Sequence, residues 1–598
     1  MKVDNVDVLD IIGECITNEY PLYLLHLPEM KLMSRGVMRT FIGSAIEEQL
    51  AAKFSGADSS ETHISDVKAM VRARMHYAIL SHKWLAQGEP TFQDIMTLDQ
   101  TPPETPPEIP PAAPSVIPPP EPVKPTPGPF AKLKNKLRKS PAKKAANDEP
   151  VIDIAGASAA VTDCPPQTTG LSKLRAFCDK AHGSGFNWVW SDTCCIDKSS
   201  SAELEESIRS MYNWYWRSSL CMVYLADTLT LEDLVGDQWF TRGWTLQELL
   251  APVFVKFYNR DWEPLTSNDN DKHNPGFVQR LSNITGIPVS ELERYNPETN
   301  RVREKMVWAS KRRTTRVEDM AYCLMGLFNV QITVAYGEGK RAFYRLQAEI
   351  MQNCNDIGVF VWSGSPSLNN SMIASGPECY TAIEMDPNDG LTRLLYAIGG
   401  EEKVQMLLAG FAPPRGDTSF RLTNRGVQMR LPLFDVESYT KSENEAAQGW
   451  NKYTLGVQGL QEIVAEVDNN SAMGVAGDWN DFKLAIIDYE AADADPNASE
   501  LRTDDFAKYL TMPLPRDQGS ENTLQMLLPL IRSVLPEGQS ELPDFLADAR
   551  KKRQYIGILL ARERYQPQAF YNRIPTKDLI KIQRPDFGWN LPETVFLK

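Results

Sequence analysis

The segment RGWTLQEL contains three side chains whose types and spacing suit ligand chemistry, namely Arg242, Trp244 and Glu248. Trp244 and Glu248 are four residues apart, so on a helix they lie on one face. A carboxylate stabilises positive charge that develops during bond cleavage, an indole such as Trp244 or Trp239 covers a cationic ring, and an arginine binds phosphate through two hydrogen bonds. The alternative is structural: an ion pair between Glu248 and Arg242 at a helix start, with Trp244 in the core.

Three further polar residues follow apolar runs that are typical of buried strands. Ser81 and His82 follow YAIL at 77–80, and Asp192 follows the aromatic run FNWVW. Ligands of open parallel sheets bind beyond the carboxyl ends of the strands, so these residues are candidate binding residues. For Asp192 the alternative is a turn capped by its side chain, and for His82 it is a histidine with satisfied hydrogen bonds at a strand end.

Other chemically suggestive motifs favour structural roles. Cys194 and Cys195 have no histidine nearby in sequence, and we expect them to be small buried hydrophobic residues. GEGK at 337–340 lacks the first glycine and the final Ser or Thr of a phosphate-binding loop, so it predicts a tight turn leading into a helix. Arg316 and Asp319 are three residues apart, which is compatible with an ion pair or a buried polar network.

Alternating strands and helices carry these candidate residues. Single helices between strands predict a parallel sheet with right-handed crossovers. Apolar runs predict the strands, and apolar residues at helical spacing predict the helices between them. The strands are predicted at 77–80, 186–192, 220–225 and 252–258, and the helices at 171–183, 201–218 and 241–250.

A proline-rich insert interrupts this pattern. Sixteen prolines lie between Thr101 and Pro150, a composition that cannot bury enough apolar area to fold, so we predict a disordered insert at 101–150. Its segment 131–144 has seven basic residues and no acidic one. Contact with a membrane surface, an import signal and a solvated charge run are the alternatives for that segment.

Composition limits the class of protein. With 598 residues, 42% hydrophobic and 24% charged, the chain is expected to fold into several domains. Four regions are predicted: a partly helical segment at 1–76, an α/β domain at 77–262, a helical extension at 263–362, and a β-rich domain at 363–598. A net charge of -15 argues against nucleic-acid binding. No apolar run approaches membrane-spanning length, the N-terminus lacks a secretory pattern, and the nine cysteines form no C-x-x-C pair, so we expect a cytoplasmic protein without a transmembrane segment or metal site.

Five segments, in this order, resemble the heterokaryon-incompatibility (HET) domain of fungal proteins. They are YAILSHKW (77–84), WSDTCCIDK (190–198), ELEESIRSMYNWYW (203–216), WFTRGWTLQELLAP (239–252) and ASKRRTTRVEDMAYCLMGLFNV (309–330). The segments VAYGEGKRAFYRLQAEIMQ (334–352) and DIGVFVW (356–362) resemble the continuation of this domain in one large subgroup. Lys83 and Ser191 depart from the residues usual in the family.

The resemblance implies a fold and a function. HET domains are similar in strand and helix order to TIR domains, some of which cleave NAD, so we expect an α/β, TIR-like (flavodoxin-like) parallel sheet flanked by helices. Glu248 matches the position of the TIR catalytic glutamate, four residues after a Trp. The residues expected to bind the nucleotide are Trp244, Arg242, Trp239, Ser81, His82 and Asp192.

The implied role is non-self recognition and programmed cell death signalling, through self-association or other HET or death-signalling proteins. No resident cofactor is expected, and NAD is the candidate substrate. Two alternatives stand beside an NAD-cleaving enzyme: a non-catalytic adaptor that assembles through the HET domain, and an inactive family member, which the departures at Lys83 and Ser191 favour.

Overall fold

The computed structural model describes most of the chain outside the proline-rich insert. The described residues are 2–4, 6–55, 63–85, 88–98, 169–381, 419–442, 449–469, 479–488, 554–563, 569–583 and 592–598. The predictions for 101–150 and its basic segment 131–144 lie outside these residues. Met1–Thr97 and Thr169–Lys598 belong to one compact unit. The division into four regions at 76, 262 and 362 stays a prediction.

The first part of the chain is a succession of helices and short strands. Their bounds are β1 Lys2–Val3, β2 Val6–Asp7, α1 Val8–Glu19, β3 Tyr23–His26, β4 Lys31–Ser34, α2 Arg35–Ser55, α3 Ile64–Arg74, β5 Tyr77–His82, α4 Phe92–Leu98, α5 Gly170–Gly183, β6 Trp188–Trp190, α6 Ser201–Arg217, β7 Leu220–Tyr224, α7 Thr245–Leu250, β8 Val255–Tyr258, α8 Pro275–Thr285, α9 Val289–Glu293, α10 Val302–Ser310, α11 Asp319–Tyr322, α12 Arg341–Asn353, β9 Pro366–Ser367 and β10 Asn370–Ala374. None of the described helices is long and apolar enough to cross a membrane.

A six-stranded sheet forms the centre of this part, in the order β4-β3-β6-β5-β7-β8. Strands β6, β5, β7 and β8 are parallel, which confirms the predicted parallel sheet. The hairpin of β3 and β4 extends it with antiparallel pairing between β3 and β6, a contribution that the sequence analysis did not predict. Because β5 lies between β6 and β7, the residues at its carboxyl end are flanked by the ends of both neighbours.

Helix α6 illustrates why the predicted elements form where they do. The Ser200 hydroxyl accepts a hydrogen bond from the backbone N–H of Glu203, and Glu203 in the first turn and Arg217 in the last complement the helix dipole. Its apolar face buries Ile208, Met211, Trp214 and Tyr215. The hydroxyl of Tyr215 donates to the carbonyl of Leu80 at 2.9 Å, so α6 packs directly against the end of β5.

A second sheet forms the C-terminal part, which confirms a β-rich region there. Its strands are β11 Phe420–Thr423, β12 Gly426–Leu431, β13 Leu433–Lys441, β14 Trp450–Val457, β15 Ile463–Asp468, β16 Trp479–Asp488, β17 Gln554–Glu563, β18 Phe570–Ile574, β19 Ile580–Gln583 and β20 Glu593–Leu597. Pairing between these strands is antiparallel except for β18 with β20. Alternate residues of β14 are buried, as expected for a sheet with one face on a core.

A buried arginine joins the two parts. Arg573 of β18 donates from Nη1 to the carbonyl of Phe360 at 2.8 Å and from Nη2 to the carbonyl of Trp362. Its guanidinium carbon lies 3.8 Å from the centroid of the Trp362 ring, a stacked cation–π contact. The C-terminal sheet therefore packs against the segment that follows α12.

Candidate functional site

Glu248 lies at the centre of a hydrogen-bonded cluster beyond the end of β5. Ser81 Oγ donates to Glu248 Oε2 at 2.5 Å, and Trp239 Nε1 donates to Ser81 Oγ at 2.9 Å. Ser81 and Trp239 are fully buried, and Glu248 is only 7% exposed. The cluster is therefore closed: these side chains bind one another in this state and do not present a surface to a ligand.

Burial dominates the protonation of Glu248. It raises the pKa of the carboxyl to about 8, with a further increase from the charge of Asp192. The Ser81 hydroxyl, the Tyr215 hydroxyl and the charge of Arg242 offset part of this increase in the pKa. At neutral pH the carboxyl is therefore mainly protonated, a state in which it donates or accepts hydrogen bonds but does not stabilise a cation.

Helix α7 sets the direction in which Glu248 points. The Thr245 hydroxyl donates to the carbonyl of Trp239 at 2.6 Å, which ties the first turn of α7 to the preceding 3₁₀ turn. Gly243 allows the chain to pass close to Thr314, because a Cβ at this position would lie 2.5 Å from Thr314 Cγ2. These contacts turn Glu248 towards Ser81.

His82 and Asp192 form a second cluster beside the first. Nε2 of His82 lies 3.4 Å from Oδ1 of Asp192, and Trp84 Nε1 donates to Oδ2 of Asp192 at 2.8 Å. Lys198 Nζ lies 4.0 Å from the centroid of the Trp84 ring. This contact network, rather than the capping of a turn, occupies the Asp192 carboxylate among the described residues.

The pKa values of both His82 and Asp192 are lowered, which favours a neutral imidazole and an ionised carboxylate. Burial, and then the charge of Lys173, lowers the pKa of His82 despite the carboxylate beside it, so the imidazole is neutral at neutral pH. Burial raises the pKa of Asp192, but His82, Lys198 and Trp84 outweigh it, and the pKa is lowered overall. The pair is therefore a carboxylate beside a buried neutral imidazole.

The remaining predicted site residues, Arg242 and Trp244, lie apart from these hydrogen bonds. Trp244 is half-buried and its indole hydrogen-bonds to the Asp319 carboxyl, whose Oδ1 also accepts from the Tyr336 hydroxyl at 2.8 Å. Arg242 is half-buried and influences Glu248 through its charge. Within the described residues, Arg242 and Glu248 do not form the ion pair that was the structural alternative. Spacing placed Trp244 and Glu248 on one face, yet they have different partners.

Sequence reasoning missed three residues of this site. Tyr215 approaches both Leu80 and Glu248, and Trp84 holds Asp192. Arg312 is buried and donates to the Arg242 carbonyl and to Thr245 Oγ1, each at 2.9 Å. Trp84 lies only two residues after His82 and could have been found; the other two are distant in sequence from the groups they contact.

The residues with predicted structural roles occupy such roles. Cys194 and Cys195 are buried, and burial raises the pKa of Cys195 well above its ordinary value. Gly337 and Gly339 have φ of +98° and +60°, and α12 starts at Arg341, so GEGK is the predicted turn before a helix. The described residues contain no cluster of three or more metal-ligating side chains.

A cavity of about 250 Å³ lies at the amino ends of the parallel strands, the end of the sheet opposite Glu248. Tyr77, the first residue of β5, and Trp216 line it. Two arginines, Arg72 and Arg217, bind the carboxylate of Glu19 there, with shortest distances of 2.7 and 3.0 Å. This cavity is distinct from the two clusters at the carboxyl ends.

Comparison with known proteins identifies a family that part of this chain matches. Residues 165–233 match the family model described as heterokaryon incompatibility protein (HET). The chain is 42% identical over 193 residues to the vegetative incompatibility protein HET-E-1 of Podospora anserina, an alignment that covers 30% of this chain and 14% of that relative. No solved structure matches. These matches confirm the resemblance of the sequence segments to the heterokaryon-incompatibility (HET) domain, and the family model places it at residues 165–233.

Proposed function

We propose that this chain acts in fungal non-self recognition, with its α/β region as the module that signals cell death. The similarity to HET-E-1, whose name states vegetative incompatibility, supports this function. The family match within 165–233 extends from the segment before α5 to the loop after β7. Because the aligned part is a small share of that relative, the function is carried to this chain as a proposal, as is its cytoplasmic location.

A TIR-like organisation of the α/β region is part of the proposal. Numbered along the chain, the parallel strands lie in the order 2-1-3-4, which is the order of flavodoxin-like sheets. In that class, ligands bind beyond the carboxyl ends of the strands, at the point where the strand order reverses. Ser81 and His82 lie at that point, at the end of the first parallel strand.

Assembly is the mode of signalling that the observed geometry supports best, and the enclosure of Glu248 carries this conclusion. A carboxyl that is 7% exposed and bonded to Ser81 has no room for a sugar ring against it. The α/β region then works as an adaptor, through association with further copies or with other incompatibility proteins.

Cleavage of NAD is the second candidate, favoured by the perturbed protonation of Glu248. Residues with strongly shifted pKa values, near several other polar groups, concentrate at functional sites. In this version the cluster opens, water reaches Glu248, and its pKa falls. The resulting carboxylate stabilises the oxocarbenium character at the ribose carbon as nicotinamide leaves and water adds. The closed arrangement is then the inactive state.

Glu248→Gln separates the two candidates, because the amide keeps a hydrogen-bond acceptor for Ser81 but cannot ionise. The full chain is expressed in a fungal host while growth and cellular NAD are followed, and the purified protein is assayed for nicotinamide release. Glu293→Gln, at an exposed position at the end of α9, is the matched control.

Each outcome decides between the candidates. Growth arrest with unchanged NAD in both wild type and Glu248→Gln supports assembly. NAD loss and growth arrest that both disappear in a folded Glu248→Gln, but not in Glu293→Gln, support cleavage. A folded, expressed wild type that causes neither growth arrest nor NAD loss overturns the effector role and leaves an inactive family member.

A further inference from the structure

Two arginines stand side by side next to the Glu248 cluster. The backbone N–H of Arg313 donates to the Thr241 carbonyl at 2.7 Å, and the N–H of Gly243 donates to the Arg313 carbonyl at 2.9 Å. These bonds pair Arg242 with Arg313 as in a parallel ladder. Paired residues of neighbouring strands lie about 5 Å apart with their side chains on the same face. The two guanidinium groups therefore leave the backbone in the same direction.

These positive charges lack compensating acids. Within the described part of the chain, neither Arg242 nor Arg313 forms an ion pair with a carboxylate. Arg313 is exposed and Arg242 half-buried, and two further exposed cations, Lys311 and Arg316, lie in the same segment. Paired like charges destabilise a strand pair. A fold that keeps them together without a counter-charge is suited to bind an anion.

Arg312 is an independent sign of a missing negative charge. It is 5% exposed, and its guanidinium donates to the carbonyls of Arg242 and Trp308 and to the Thr245 hydroxyl. All of these acceptors are neutral. Hydrogen bonds engage the N–H groups on Nε and Nη1, but Glu248, whose charge would offset the burial of this cation, is mainly protonated at neutral pH, so the buried charge remains costly. The positive field of Arg312 adds to that of Arg242 and Arg313.

The nearby acids are engaged elsewhere. Glu318 Oε1 accepts from the backbone N–H groups of Gly337 and Gly339, each at 2.9 Å. Asp319 accepts from the Tyr336 hydroxyl and is bonded to the Trp244 indole. Among the described residues neither carboxylate forms an ion pair with Arg242 or Arg313, and the positive charge that favours the ionised form of both is that of Arg316.

We propose that Arg242 and Arg313 bind the pyrophosphate group of a nucleotide. Each guanidinium presents a planar fork that matches the oxygens of one phosphoryl group, so two adjacent forks suit two linked phosphoryl groups. The half-buried Trp244 next to Arg242 offers an aromatic surface for a base. The identity of the ligand as a nucleotide rests on the second candidate function, cleavage of NAD. The arginine pair adds the chemical group that would be bound, a pyrophosphate.

Calorimetric titration of the full chain tests the site. The ligands are inorganic pyrophosphate, ADP-ribose, inorganic phosphate and adenosine, each at low and at physiological ionic strength. Arg313→Ala and Arg242→Ala remove one fork each, Arg313→Lys keeps the charge without the fork, and Arg280→Ala, at an exposed position of α8, is the control. Circular dichroism and thermal unfolding establish that each variant is folded.

For each of the two ligands, pyrophosphate and ADP-ribose, we expect Arg280→Ala to bind with the same affinity as wild type. Either alanine variant should weaken binding about tenfold or more, the loss typical of one charged hydrogen-bonded contact. The affinity of Arg313→Lys should lie between those of wild type and Arg313→Ala. A folded Arg313→Ala that binds as tightly as wild type, or a wild type that binds no pyrophosphate, overturns the site. Equal affinity for ADP-ribose and pyrophosphate overturns the claim that the ligand is a nucleotide and leaves a phosphate site.

Failure of this site and failure of the enzymatic candidate give different results. Tight ADP-ribose binding without nicotinamide release supports the site while the hydrolase fails. Nicotinamide release that is abolished by Glu248→Gln but unaffected by Arg313→Ala supports the hydrolase while the arginine site fails.

Discussion

One carboxyl, Glu248, should make a large contribution to the pH dependence of the free energy of unfolding. Burial raises the pKa of this group from its ordinary value of 4.5 to about 8. Between these values the folded chain keeps a proton that the unfolded chain has released, so the free energy of unfolding falls as pH rises. The slope is about 1.4 kcal/mol per pH unit, and the total loss above pH 8 is on the order of 5 kcal/mol.

Glu248→Gln should remove this dependence. The free energy of unfolding of the variant relative to wild type should increase by about 3 kcal/mol between pH 5.5 and 7.5. At a urea dependence of about 3 kcal/mol per molar, this is a relative shift of about 1 M in the unfolding midpoint. His82, whose pKa burial lowers, contributes in the opposite direction, since its stabilisation is present above its unfolded pKa and is lost as pH falls. Both proteins contain His82, so the difference between them isolates Glu248.

Pulse proteolysis in urea at pH 5.5, 6.5, 7.5 and 8.5 measures the midpoints. Glu293→Gln controls for loss of an exposed carboxylate and should follow wild type at every pH. Parallel pH profiles for wild type and Glu248→Gln would refute the reasoning, because they would mean that Glu248 is ionised and solvated in the folded chain.

Two further changes test the packing around the sheet. Gly326→Ala should destabilise by about 1–3 kcal/mol, because a Cβ there would lie 2.3 Å from Cβ and Cγ of Tyr212; Gly183→Ala, where the added Cβ meets nothing within 4 Å, is the control, and equal urea midpoints would contradict this packing. Lys173→Met should cost about 3–5 kcal/mol, because it leaves the buried Glu89 carboxylate without its cation. The double variant with Glu89→Gln should recover most of that loss, and a double variant as unstable as Lys173→Met would show that the ion pair is not the cause.

Local patterns sufficed for the parallel strands but not for the hairpin that extends the sheet. The predicted run 220–225 and strand β7 at Leu220–Tyr224 agree within one residue, because a short apolar run between polar turns is readily buried as a strand. The runs of β3 and β4 are only four residues each. Periodicity does not separate such short runs from helix, and their pairing with β6 depends on contacts distant in sequence.

The site shows the same division between local and tertiary information. The position of Ser81 and His82 at a carboxyl strand end follows from the strand pattern. The bond from Ser81 to Glu248 spans 167 residues of sequence and depends on how α7 is rotated. That rotation is fixed by Thr245 and by Arg312, whose contact with Thr245 spans 67 residues. No pattern within one segment encodes such an arrangement.

The two proposed sites constrain each other electrostatically. The charge of Arg242 lowers the pKa of Glu248, and a phosphate bound to Arg242 would cancel that charge. Anion binding alone would therefore favour the protonated carboxyl and keep the chain inactive. If this chain cleaves a nucleotide, ionisation of Glu248 must come from hydration, which requires the bond from Ser81 and the enclosure by Trp239 to open. In the proposed function, assembly with further copies would supply the free energy for this opening, rather than binding of the nucleotide itself.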